Sequence, residues 1–140
     1  MKQLWAMVLL SGACACSSGQ TQSAAGFPAQ PLTQATSDSH RLSLELRSAP
    51  SQPPSRGDVL LELTARDTTT NELVPGLTLS VTPWMPAMGH GTSELPSVSE
   101  TSPGHYELSN LVLYMAGTWE LRTHLSGQTP DDVTPTFSVR

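Results

Sequence analysis

Beyond residue 16 this chain has no cysteine: its two, Cys14 and Cys16, fall within the first 16 of 140 residues. That excludes a disulfide framework and a thiolate metal centre from whatever folds downstream. Lysine is nearly absent too. Lys2 is the only one, so the rest of the chain sets six arginines against twelve acidic residues. Nucleic acid is excluded as a partner, because binding phosphates needs clustered Lys and Arg. Aromatics make up 5% of the residues, and no apolar run approaches the roughly 20 residues of a membrane-spanning helix. Catalytic signatures are missing as well: there is no G-x-S-x-G elbow, no H-E-x-x-H and no Gly-rich phosphate loop. With no nucleophile set beside a His and an acid, the chain is not expected to be an enzyme.

What is present begins with an address. Lys2, the apolar run Leu4 to Leu10 and the small residues of "SGACACSSG" form the n-region, h-region and cleavage zone of a bacterial export signal over residues 1–16. Both cysteines lie at this one boundary, so the reading favours a lipoprotein lipidated on Cys14 or Cys16 and held to a membrane by its lipid, facing the periplasm. Cleavage after Ala15 without lipidation is the alternative. Residues 17–39 are small, polar and punctuated by proline, the composition of a flexible tether.

From residue 40 to 140 the pattern is that of one domain of short strands. Leu42, Leu44 and Leu46 alternate with polar residues, and Val59, Leu61 and Leu63 repeat the pattern. Leu77, Leu79 and Val81 form a third run, which is expected to stop at Pro83. "ELPSVSE" reads as a short edge strand. "HYELSNLVL" shifts parity near Ser109 and Asn110, as at a bulge. "TWELRTHL" and "VTPTFSVR" supply the last strands, the second with Phe137 and Val139 inward. About seven strands at this spacing predict an all-β, antiparallel two-sheet sandwich of immunoglobulin-like type. Trp119 and Tyr106 are expected in its core.

"TPWMPAMGHG", residues 82–91, breaks the pattern by placing Met85, Met88 and His90 within six residues. Thioether and imidazole groups suit a soft ion such as Cu(I), and no thiolate competes with them. Pro86 stiffens the stretch while Gly89 and Gly91 let it fold back. If the strands alternate in direction, Met115 shares this end of the sandwich, whereas His105 and His124 share the other. The metal set is therefore Met85, Met88, His90 and Met115. Plain packing competes with it, since methionine fills irregular gaps, and here Trp84 is expected to be the packed half. His40 is expected in solvent, and Asp131-Asp132 in a charged loop without a hard-cation site.

The order "WMPAMGHG", then Pro103, Gly104 and Tyr106, then Met115, Gly117, Trp119 and Leu121 resembles the YtkA-like family, relatives of the FixH proteins, over roughly residues 42–139. The resemblance implies a small exported or membrane-tethered β-sandwich linked to copper handling or to assembly of copper-containing oxidases. An envelope partner from metal efflux or oxidase assembly follows from the same resemblance. A metal-free interaction module using the same loop as an apolar contact is the other functional class that the residues permit.

Overall fold

The computed structural model describes residues 26–128 and 130–140. The export signal, both cysteines and residues 17–25 of the expected tether lie outside the described residues. The described chain holds ten strands and no helix: β1 Thr33–Thr36, β2 Leu42–Ala49, β3 Gly57–Asp67, β4 Thr78–Met85, β5 His90–Gly91, β6 Ser97–Ser102, β7 His105–Leu113, β8 Gly117–Ser126, β9 Asp131–Val133 and β10 Thr136–Val139. They form two antiparallel sheets. One has the order β1-β2-β3-β7-β6, the other β10-β8-β4-β5 with β9 also on β8. The chain crosses between sheets after β3, β5 and β7, and the result is the expected β-sandwich.

Period-two patterning accounts for the core. Leu44, Leu46, Leu61, Leu63, Leu108 and Leu121 are fully buried, each alternating with a residue on the outer face. Burial of one such leucine contributes roughly 1.5–3 kcal/mol. Trp119 and Tyr106 are the largest buried side chains, as expected. The bulge falls where parity shifts: Val59 pairs with Leu111 but Leu61 with Leu108, leaving an extra residue in β7. Asn110 absorbs it with φ 56°, a conformation asparagine tolerates better than most residues.

Several expectations change. Thr33–Thr36, assigned to the tether, pairs with Ser43–Leu46 as an edge strand, so ordered chain reaches back before residue 40. β4 does not stop at Pro83 but continues to Met85, with Pro83 opposite Leu121. On its other side β4 has a partner only at Trp84 and Met85, and an edge strand tolerates a proline. The last expected strand is two, β9 and β10, separated at Thr134-Pro135.

Asp131 lies in β9 rather than in a charged loop, and it is buried. Ser39 donates to it through both its hydroxyl and its backbone N–H, the latter at 3.1 Å, and Arg41 stands 3.6 Å away. This ties β9 in one sheet to the β1–β2 turn of the other. Burial pushes the Asp131 carboxyl up, but hydrogen bonds from Ser39, Ser37 and the backbone of Ser39 and Asp132 outweigh it and hold the pKa at about 2.

Candidate soft-metal site at the hairpin end

The quoted stretch is a β-hairpin. Trp84 pairs with Gly91 and Met85 with His90. Between them Pro86 to Gly89 turn the chain: the Met88 and Gly89 N–H groups both donate to the Met85 carbonyl, at 3.1 and 3.0 Å. Gly89 takes φ 68°. Gly91 lies so close to β4 that a Cβ on it would stand 2.1 Å from the Pro83 carbonyl oxygen, and only glycine fits there.

Strand parity decides which side chains face in. Leu79, Val81, Pro83 and Met85 point into the sandwich and Trp84 points out, the reverse of the expectation that Trp84 is the packed half. Trp84 instead lies half-buried under the Arg122 guanidinium, 4.4 Å from its ring centroid, a cation–π contact. Met85 is 6% exposed, part of the core cluster. Its Cε would lie 2.8 Å from a Cβ added to Gly117, so the first residue of β8 must be small.

Met88, at the tip of the turn, is 53% exposed. His90 is exposed, and its Nδ1 lies 3.0 Å from the Gly91 carbonyl oxygen. A carbonyl only accepts, so Nδ1 carries the proton in this contact, which in the neutral ring leaves the lone pair on Nε2. Met115 is half-buried against the core, and its carbonyl accepts a hydrogen bond from Trp119 Nε1 at 3.0 Å. It stands two residues before Gly117 and so at the Met85 end of the sandwich. Hence Met85 and His90 are cross-strand partners, Met88 caps their turn, and Met115 shares their end. Met85 is packed while Met88 and His90 are free to solvent.

The other histidines lie apart from this end. His105 Nδ1 is 3.2 Å from Thr64 Oγ1 and 3.6 Å from Glu62 Oε2, and His124 Nδ1 is 2.8 Å from Asp132 Oδ1. His40, exposed as expected, contacts the Asp38 carbonyl at 3.0 Å. Among the described residues no three or more His, Cys, Asp or Glu converge as metal ligands. Any metal at the hairpin end depends on thioethers.

The Pro103-Gly104-x-Tyr106 motif does structural work at the opposite end. The Tyr106 hydroxyl donates to the Val74 carbonyl at 2.8 Å and accepts from the Leu77 N–H at 3.0 Å. Gly104, at φ 77°, abuts Leu73, and its N–H donates to Glu100 at 2.9 Å. Burial raises the Tyr106 pKa, partly opposed by the Leu77 N–H.

Folding gives two groups a setting that the residue pattern did not assign to them. One is Asp131, whose inward parity with Val133 was a usable signal. The other is Arg56 with Arg140, separated by most of the chain and joined only by folding.

Comparison with known proteins adds one match. Residues 36–124 fit the family described as YtkA-like, a span that runs from the end of β1 into β8 and contains all three motifs. No curated protein and no solved structure matches the chain.

Proposed function

The chain belongs to the YtkA-like family, and on that premise we propose that it is an envelope-tethered carrier or accessory module that holds a soft metal ion, Cu(I), at its hairpin end. The observation that carries the reading is the His90 contact. An imidazole that donates Nδ1–H to a backbone carbonyl and keeps the lone pair on Nε2 is arranged as metal-binding histidines are, and here the exposed Met88 thioether is two residues away in sequence. Met115 is the third donor. Met85 holds the hairpin to the core and joins the donor set only by leaving its contact with Gly117. Cu(I) is cargo in this reading, and no catalysis is proposed.

Anaerobic titration of the purified protein with Cu(I) against a chromophoric competitor tests it. Retention of about one ion per chain, lost in Met88→Leu and His90→Gln, is expected. Absence of retention by the unaltered protein removes the proposal. Mass spectrometry of the mature N-terminus tests the tether, with a diacylglyceryl adduct expected on Cys14 or Cys16.

One observation favours a second reading, a metal-free interaction module of an efflux or assembly system. The exposed large apolar side chains of the described chain are Met88, Leu95 and Tyr114, each in a turn or connection at the hairpin end. Met88→Leu separates the two readings, since it removes a thioether while preserving an apolar contact of similar volume.

A further inference from the structure

Four of the six arginines lie within salt-bridge distance of a carboxylate: Arg41 faces Asp131, Arg47 and Arg66 share Glu45, and Arg122 faces Glu120. Among the described residues the guanidiniums of Arg56 and Arg140 have no Asp or Glu side chain within salt-bridge distance. Folding brings these two together. The Arg140 N–H donates to the Pro54 carbonyl at 3.0 Å and the Arg56 N–H to the backbone oxygen of Arg140 at 3.1 Å, so residue 140 is stitched between residues 54 and 56. With Ser55, Gly57 and Tyr114 they line an open cleft of about 560 Å³. Tyr114 is 68% exposed.

The loop presenting Arg56 is fixed before any ligand arrives. Gln52 accepts from the Ser48 N–H and donates to the Gln30 carbonyl, the Ser48 hydroxyl donates to the Ser51 carbonyl, and Pro54 is buried. Such pre-ordering lowers the entropic cost of binding. Asp58, just beyond Gly57, lines a neighbouring groove with Pro50 and Leu60 instead. Glu94 lines a separate small crevice that also touches Tyr114. The chain as a whole is acidic, with net charge −5, so an acidic partner is repelled by most of the surface and drawn to this one spot. That selects orientation as well as affinity.

We propose that the Arg56–Arg140–Tyr114 cleft docks an acidic segment of a partner protein, its carboxylates on the two guanidiniums and a neighbouring apolar side chain on the Tyr114 ring. Guanidinium pairs with carboxylate through two parallel hydrogen bonds, and Arg and Tyr are the side chains on which interface energy concentrates. The open shape and the aromatic wall fit a peptide better than a small inorganic anion, which has no use for a ring. Because Gly57 pairs with Leu113, and Val139 with Gly117, the cleft flanks the Tyr114–Ala116 connection that carries Met115. A docked segment therefore lies at the hairpin end. The cleft does not depend on the metal reading, since none of its residues is a proposed donor.

The test uses the purified metal-free protein and a fluorescent peptide of two Glu, two Asp and a central Leu, alongside its Gln/Asn counterpart and inorganic tripolyphosphate. The acidic peptide is expected to bind, with its affinity falling as salt rises. Arg56→Gln and Arg140→Gln should each weaken it at least 10-fold and Tyr114→Ala at least 3-fold, while Arg122→Gln leaves it unchanged. All four sites are on the surface, and unchanged circular dichroism checks the fold. No binding of the acidic peptide, equal binding of the amide peptide, indifference to Arg56→Gln and Arg140→Gln, or displacement by tripolyphosphate at equal concentration each overturns the proposal.

Discussion

The methyl of Met85 occupies the space that a side chain on Gly117 would need: a Cβ there would stand 2.8 Å from Met85 Cε. Two motifs far apart in sequence thus meet as a knob and its socket. Gly117 also has φ 129°, which side-chain-bearing residues rarely adopt. Gly117→Ala is expected to destabilise by about 1–3 kcal/mol through strain and overpacking, read by urea denaturation. In a Met85→Ala background the same change should cost less, because the opposing methyl is gone. An identical cost in both backgrounds would assign the effect to backbone strain alone.

How far this contact was legible in the sequence depends on parity. Leu79 and Val81 are inward, and extending the same alternation puts Met85 inward and Trp84 outward, as found. Stopping the strand at Pro83 hid that result, because the tolerance of an edge strand for proline depends on neighbours that the sequence does not display. The same alternation through Val133 pointed Asp131 inward, although a buried carboxylate becomes credible only once Ser37 and Ser39 are known to face it. β1 was harder to see, since four residues reading "TQAT" have no periodicity without β2 beside them. The pairing of Arg56 with Arg140 has no local signal at all.

The clasp made by Tyr106 gives a clean deletion. Tyr106→Phe keeps the buried ring but removes the group that donates to the Val74 carbonyl and accepts from the Leu77 N–H. Leaving that N–H without a partner should cost about 1–3 kcal/mol. The expected readout is a lower urea midpoint with an unchanged slope, and faster amide exchange at Leu77. An unchanged midpoint would mean that water replaces the hydroxyl without loss.

Asp131 gives a pH dependence of definite sign. Its carboxyl titrates at about 2, below the ordinary 3.8. Its contribution to stability is therefore complete above the unfolded value and is lost as pH falls from about 4 towards 2. Asp131→Asn should flatten the stability profile in that window and lower stability at neutral pH, where the charge-accepting hydrogen bonds from Ser37 and Ser39 are weakened. Denaturation midpoints between about pH 2 and 7 measure both effects. A mutant profile parallel to the original would show that other carboxylates carry the acid sensitivity.

The proposed metal set predicts a ranking that packing alone does not. Met88 is 53% exposed and Met85 6%, so replacing each with leucine separates metal affinity from stability. Met88→Leu should leave the denaturation midpoint within about 0.5 kcal/mol and reduce Cu(I) retention at least 10-fold. His90→Gln should do the same, because the amide keeps a hydrogen bond to the Gly91 carbonyl but offers no imidazole lone pair. Met85→Leu should behave oppositely: retention stays within a factor of about three, and stability shifts by less than about 1.5 kcal/mol, as in other volume-conserving swaps. Met115→Leu should fall between them, since Met115 is half-buried and its carbonyl, not its thioether, holds Trp119. If Met85→Leu proves the most damaging to retention, the hairpin must open to bind, and the contact with Gly117 is then the gate that the ion displaces.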